Sequence, residues 1–395
     1  MSAVRPKVSS VYVHAPFCVR RCVYCDFAVT VSSSGAVDDW AEAVAAELEL
    51  TEREGFLSLA PQLETLYVGG GTPSLLGPTA MRRLSEVFGA DRLSGSGLEW
   101  TAEANPESVT ADLAEAWRAA GVNRVSIGVQ SFHAPTLRWM GRLHGPHGAG
   151  EAVRVARGAG FDNVSVDLIF GLPAHLGRSW IEDLERALAL DVPHVSLYGL
   201  SVEAETPLGR AVAAGKEALP EEERYRDEFL EASDRLRSAG YVHYEVSSFA
   251  RPGYESRHNR AYWDGRPYLG LGNGAHSYAH PVRRWNVRDW ARYRALVLAG
   301  TLPEEAREEL DAEAEALERI WLGLRTAEGL PRARLAPEAR VLVERWEGAG
   351  LAARDGDRLR LTPLGWLELD GLAVEMDRLR PSRSPRRVPP ARVDP

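Results

Sequence analysis

Cys18, Cys22 and Cys25 are the only cysteines among 395 residues, and they fall within eight consecutive positions. A chain that avoids cysteine elsewhere and gathers it in one loop is not building a disulfide framework. The pattern fits a reducing compartment in which the thiolate is kept for its chemistry. The C-x3-C-x2-C spacing lets one loop hold three corners of an iron–sulfur cubane, because such clusters are ligated by closely spaced thiolates. A fourth iron is then left without a protein ligand and can chelate the amino and carboxylate groups of a small molecule. A Cys3His zinc site using His14 is the alternative by composition, although structural zinc ligands usually come as two separated pairs. Inert buried cysteines would not be expected to gather beside Arg20 and Arg21.

Further chemistry-bearing residues sit where strand patterns end. Gly69-Gly70-Gly71-Thr72-Pro73 would let the backbone approach a ligand, with free N–H and C=O groups to meet it; taken alone it is a tight turn. Glu103, in Glu103-Ala-Asn-Pro106, ends the third strand pattern and Gln130 the fourth. Asp167 lies inside an otherwise apolar strand, where a carboxylate is costly unless paired, so it is a site candidate or a loop anchor. Arg142 is a carboxylate partner by the fork geometry of its guanidinium.

The elements that must position these groups alternate along the first half of the chain. Short β-branched stretches at 10–13, 65–68, 99–103, 124–129, 164–169 and 194–200 are strands, several with apolar residues on both faces as buried parallel strands have. Helical patterns at 38–51, 79–87, 111–120, 148–159 and 179–190 lie between them. Gly121, Gly160 and Gly240 follow alanine just before the next strand, where a left-handed glycine closes a helix. Six βα units in series predict an α/β fold with a parallel sheet, curved into an open barrel or left doubly wound, and in either case the ligand sits at the C-terminal strand ends. Beyond residue 200 come a charged helix at 221–238, one strand at 241–249 and an ordered loop region at 251–279. From 301 to 380 the pattern is helical, with a hairpin-like 351–361.

The composition, 45% hydrophobic and 26% charged with a net charge of −9, belongs to a globular protein and argues against a nucleic-acid binder. No run is apolar enough to span a bilayer, so any membrane association would be peripheral, and residues 1–10 lack a secretory h-region. Both point to the cytoplasm.

Val11-Tyr-Val-His-Ala-Pro-Phe17, the cysteine spacing with Tyr24 before its third cysteine, and Cys25-Asp-Phe27 together resemble the radical S-adenosylmethionine (SAM) superfamily. The resemblance is to the branch of oxygen-independent coproporphyrinogen III oxidase and its haem-chaperone relatives, and it runs from about Val11 to Leu372. It implies a partial (β/α)6 barrel with a C-terminal, mainly helical, winged-helix-like domain. The divisions would be 1–205 for the barrel, 206–300 for its completion, 301–380 for the second domain and 381–395 for a disordered tail. It further implies a [4Fe–4S] cluster on Cys18, Cys22 and Cys25, and SAM at Tyr12, Tyr24, Gly70, Gly71, Thr72, Glu103, Gln130, Arg142, Asp167 and Gly199. An electron donor such as flavodoxin or ferredoxin would supply the electron that cleaves SAM to a 5′-deoxyadenosyl radical, chemistry that belongs to the cofactor.

Within that branch, the oxidase pattern carries a further cysteine two residues after the third and a longer N-terminal extension. Here that position is Phe27, and seventeen residues precede Cys18. Both features favour a haem chaperone that binds haem and passes it to an acceptor protein; the alternative is the oxidase, with a porphyrinogen substrate. His258-Asn-Arg-Ala-Tyr262-Trp263 resembles the HNxxYW motif of the chaperones and makes His258 a haem-ligand candidate, with Arg257, Arg260 and Arg266 for the propionates. The plainer reading is that His258 and Asn259 hydrogen-bond within a loop packed by Tyr262 and Trp263. The absence of CxxCH excludes c-type haem attachment. Trp321, Leu324, Leu364 and Trp366 read as core of the C-terminal segment rather than as a nucleic-acid surface.

Overall fold

The computed structural model describes residues 6–54, 56–354 and 356–380, in two units that divide between Asp311 and Ala312. The expected tail at 381–395 lies outside the described residues. Six parallel strands run through the first unit: β1 (Ser10–Ala15), β2 (Thr65–Gly70), β3 (Glu99–Ala104), β4 (Arg124–Gln130), β5 (Asn163–Phe170) and β6 (His194–Gly199). They neighbour one another in that order. Beyond β6 lies β8 (Ser248–Ala250), antiparallel to it, and then β7 (Val242–Glu245), antiparallel to β8; beyond β1 lies β9 (Leu269–Leu271), parallel.

These strands alternate rather than carrying apolar residues on both faces. Val11, Val13, Leu66, Val68, Trp100, Ala102, Val125, Ile127, Val164, Val166, Val195 and Leu197 are buried on one face. The register sets Tyr12 beside Tyr67 and Tyr67 beside Thr101, and likewise Gly128 beside Asp167 and Asp167 beside Ser196, on the other. With side chains alternating at period two, one face is oily and the other is a polar interior. The sheet also curves. Tyr67 on β2 feels the charges of Asp167 and Tyr198, which in a flat sheet would be roughly 15 to 19 Å away at about 4.8 Å per strand.

Helices cover the oily face. They include α1 (Val37–Glu54), α2 (Ala80–Phe88), α3 (Ala111–Ala120), α4 (Ala134–Met140), α5 (Gly148–Gly158), α6 (Trp180–Ala189) and α7 (Glu222–Ser238). α2 buries Ala80, Met81, Leu84 and Phe88, the spacing of one helical face. α3 opens on Thr110, whose hydroxyl accepts from the Leu113 amide, and closes on left-handed Gly121. Each large side chain so buried contributes about 1.5–3 kcal/mol.

Three expectations are corrected. The single strand at 241–249 is the antiparallel pair β7 and β8, separated by a turn at Val246–Ser247, with a register shift between His243 and Glu245 inside β7. The loop region at 251–279 contains a helix, α8 (Arg257–Trp263), then β9 and the strand His276–Ala279; all are too short to show a period. Residues 304–309 are not helical but form the last strand of an antiparallel sheet with Val282–Asn286, so the unit boundary falls after 311 rather than at 301. Their acidic sequence suits a strand because arginines lie across from it, with Arg283 donating to Glu308 at 2.9 Å.

The second unit holds helices Ala312–Leu324, Ala339–Gly348, Pro363–Leu367 and Leu369–Asp377, with a two-stranded ladder of Leu330–Pro331 and Arg358–Leu359. Leu324, Trp346 and Trp366 are buried in it. Among the described residues no helix is long and apolar enough to cross a membrane.

Buried Glu47 on α1 ties the last strands to the barrel. Its carboxylate accepts from the Gly272 amide at 2.7 Å, Asn286 Nδ2 at 2.6 Å and the Tyr293 hydroxyl at 2.6 Å. Glu47→Leu removes the acceptor of three buried hydrogen bonds, leaving the Gly272 amide without one, Asn286 Nδ2 with Gly272 O alone and the Tyr293 hydroxyl with Ala43 O at 3.4 Å, each loss costing about 1–3 kcal/mol. The variant should therefore unfold at least about 3 kcal/mol more easily in a denaturant titration; an unchanged midpoint would remove Glu47 from this role.

Candidate functional site

At the C-terminal strand ends a cavity of about 560 Å³ opens, lined by Cys18, Cys22, Tyr24, Cys25, Gly70, Gly71, Thr72, Glu103, Gln130, Arg142, Asp167 and Gly199. All the expected cluster and SAM residues except Tyr12 therefore share one wall. Tyr12 lies one layer deeper, its hydroxyl bonded to His14 Nδ1 at 3.0 Å and its ring stacked on Tyr67.

The cysteine loop is held from several sides. The Gly71 amide donates to Ala15 O and the Thr72 amide to Phe17 O, both at 2.8 Å, and the Gly70 amide donates to Glu103 Oε2 at 3.0 Å. Of the amides expected to face a ligand, Gly71 and Thr72 are thus spent on pinning the end of β2 to the loop and Gly70 on Glu103. A Cβ at Gly71 would come within 2.8 Å of Ala15 O, and Gly70 has φ of +111°, so glycine is required at both. At the loop's exit, Ala28 O accepts from His14 Nε2 and Asn273 Nδ2, each at 3.0 Å.

A polar circuit joins two of the thiols. Cys18 Sγ lies 3.3 Å from Thr72 Oγ1, to which Asn105 Nδ2 donates at 3.2 Å. Asn105 Oδ1 in turn accepts from Arg142 Nη2 at 2.7 Å, and Arg142 Nη1 lies 4.0 Å from Cys22 Sγ. Arg142 Nε is buried without a partner among the described residues, a donor that a ligand's carboxylate would satisfy. Gln130 has φ of +66°, strained for a non-glycine residue. Its amide and Arg142 converge over Gly128, where a Cβ would meet them at 2.9 and 3.3 Å.

Two carboxyl groups face the cavity from the polar side. Glu103 accepts from the Tyr67 hydroxyl at 2.7 Å; burial pushes its pKa up to about 7, moderated by that bond. Asp167 accepts from the Ser126 hydroxyl at 3.2 Å and is also raised by burial, with Ser196 opposing. Gly199 leaves room for α7, since a Cβ there would stand 1.7 Å from the Tyr225 hydroxyl and would have to displace that ring.

The donor set fits a cluster better than a zinc ion. The three cysteines are free thiols, and burial pushes Cys18 up to about 11, where it stays protonated until a metal takes it as thiolate. Both ring nitrogens of His14 are engaged, one by Tyr12 and one by Ala28 O, which withdraws the fourth ligand of the zinc alternative. Among the described residues no three His, Cys, Asp or Glu converge as a single ion demands. A cubane instead spreads its thiolates over separate corners.

His258 is not brought to the cavity. It is 1% exposed, with Nδ1 at 2.8 Å from Thr65 Oγ1 and Nε2 at 2.8 Å from the Tyr262 hydroxyl. Both nitrogens are thus bonded within the protein, as the plainer reading of the motif has it, but on the helix α8 rather than in a loop. Tyr67, Asn105, Ser126, Gly128 and Tyr198 were missed as site residues. Their signal is in the sequence, as polar or small residues at every second position of the strands or just after them.

The radical SAM superfamily model matches residues 12–187 and the HemN C-terminal domain model residues 310–367. The chain is 40% identical to the heme chaperone HemW of Mycobacterium tuberculosis over 92% of its own length and 93% of the relative's. It is 34% identical to the Bacillus subtilis heme chaperone HemW, over 83% and 86%. The structure of Escherichia coli coproporphyrinogen III oxidase, HemN, superposes with a TM-score of 0.76 at 22% identity, covering 94% of this chain and 90% of that one, a likeness of fold.

Replacing Cys18, Cys22 or Cys25 by Ala should each abolish the brown iron–sulfur absorption of anaerobically reconstituted protein, since the sequence holds no spare cysteine. Iron and absorption retained in the triple variant would refute the cluster. One zinc per chain would restore the zinc reading.

Proposed function

We propose that this chain, which belongs to the radical SAM family of the heme chaperone HemW, holds a [4Fe–4S] cluster and SAM in its cavity and carries haem to an acceptor protein. The observation that supports it most directly is the convergence of three free thiols, Glu103, Asp167 and Arg142 on one cavity, in a chain 40% identical to a named heme chaperone. Cys18, Cys22 and Cys25 would hold the cluster, which when bound supplies the electron for reductive cleavage of SAM. Arg142 Nε would take the SAM carboxylate, and Glu103 and Asp167, as buried acceptors, would balance its cationic centres and bind its hydroxyls. An electron-transfer protein of the flavodoxin or ferredoxin kind would dock near the cysteine loop.

The chaperone reading is favoured over the oxidase by Phe27. It stands on the cavity rim, 62% exposed, where the oxidase pattern has a further cysteine. A bare apolar ring at the mouth can contact a flat macrocycle but can neither ligate nor transfer a hydrogen atom. Beside His258, whose nitrogens are bonded within the protein, His276 is a further imidazole to test for haem, being exposed and stacked on Trp285 with ring centroids 5.6 Å apart.

Anaerobic protein should bind about one haem per chain and show no decarboxylation of coproporphyrinogen III in the presence of SAM and a reductant. Decarboxylation would instead assign the oxidase. Glu103→Gln and Asp167→Asn should each weaken SAM binding about tenfold or more while leaving the reconstituted cluster intact. Because Glu103 titrates at about 7, SAM affinity should fall as pH drops through 7. It should lose that dependence in Glu103→Gln.

A further inference from the structure

The HNxxYW motif lies beneath the cavity rather than in it. Seven-residue α8 is docked on the starts of two barrel strands: the amides of Arg257 and His258 both donate to the Glu99 carboxylate of β3 at 3.0 Å, and His258 bonds to Thr65 of β2. Thr65 and Tyr67 share a face of β2, as Glu99 and Glu103 share a face of β3, two and four residues along. The His258 ring therefore lies against Tyr67, with ring centroids 5.0 Å apart and planes 27° apart. The hydroxyl of Tyr67 is the one that donates to Glu103.

We propose that His258 is a positioning residue for SAM, holding Tyr67 so that its hydroxyl orients the Glu103 carboxylate toward the ligand. The proposal rests on the reading that Glu103 meets SAM. Three contacts fix His258 itself: Thr65, Tyr262 and its amide on Glu99. Tyr12 is the other ring against Tyr67, at 6.1 Å and 26°, so removing the imidazole takes away one of two stacking partners and lets the phenol tilt. Burial holds the His258 pKa down at about 3, which keeps the ring neutral, with one nitrogen donating and one accepting. Glu103 is meanwhile faced by Tyr67 and the Gly70 amide from β2, Arg124 from β4, Asp167 from β5, and Tyr12 and Tyr198 from β1 and β6. Of these, Tyr67 is the group on which His258 stacks.

The test measures SAM affinity by equilibrium dialysis on the full-length, cluster-reconstituted protein, for Glu103→Gln, Tyr67→Phe, His258→Ala and the Tyr67→Phe/His258→Ala double variant. Tyr67→Phe should weaken SAM about tenfold, the worth of one hydrogen bond to a charged group. His258→Ala should cost about three- to tenfold alone and nothing further in the Tyr67→Phe background, the signature of two residues acting as one. The pH midpoint of SAM binding should also move upward in His258→Ala, because the Tyr67 bond lowers the Glu103 pKa. Cluster absorption and the haem Soret band should not change. Additive losses, or an unchanged affinity in His258→Ala while Glu103→Gln binds weakly, would overturn the proposal, as would a shifted Soret band with SAM affinity intact. An unaffected Glu103→Gln would instead sink the underlying reading of the cavity. If His258→Ala does not fold, Tyr262→Phe removes only the hydroxyl on Nε2; it should weaken SAM in the same direction, and undiminished affinity there overturns the proposal equally.

Discussion

Arg124 is buried in the polar interior of one parallel sheet, and Glu103 and Asp167 stand half-buried where that interior meets the cavity; the cost of keeping charge there shapes much of the rest. A buried carboxylate is tolerated only when donors meet it. Glu103 receives the Tyr67 hydroxyl and the Gly70 amide, and Asp167 receives Ser126 and Ser196. These donors come from neighbouring strands in register, so the βα order that gives the sheet also gives the site. The two carboxyl groups nonetheless keep raised pKa values through burial. Their bonding is incomplete in the sense that matters for binding, since a cationic ligand would relieve what the protein leaves uncompensated.

The same economy governs the cysteine loop. A loop that must present three thiols cannot also bury much of itself, and Cys18, Cys22 and Cys25 are all only partly covered. Its order is borrowed from elements on either side: the glycine triplet after β2 binds its entry, and His14 and Asn273 bind its exit. Asn273 belongs to the segment that Glu47 anchors through Gly272 and Asn286. Residues some 250 positions apart in sequence thereby brace one loop.

Most of the fold was legible because each of the six strands is a short apolar pattern bounded by turn residues, and the glycines closing the helices sit at positive φ as their spacing implied. The strand residues that face the site are obscured by one cause. Stretches such as Arg124-Val-Ser-Ile-Gly-Val-Gln130 were scored by their apolar content, whereas the polar alternates carry the interior; counting them would have shown Ser126 and Gly128 as site positions and Tyr67 as Glu103's partner. The elements at 251–279 escaped for another reason. α8 has seven residues and no periodic face, and is held by a carboxylate more than 150 positions earlier, so no local pattern could reveal it.

His258 shows where residue type misleads. A histidine among aromatics and arginines has the composition of a haem pocket, and the same composition serves a packed plug. The difference is accessibility and spent valence: both nitrogens of His258 are bonded within the protein, and Arg266 pairs with Glu64 at 2.6 Å rather than waiting for a propionate. On the reading proposed above, a motif on the floor of the barrel sets the tilt of Tyr67, and through it the carboxylate on which SAM would rest. Such a floor acts on cofactor binding without touching the cofactor, and leaves the cavity mouth around Phe27 for whatever the protein carries.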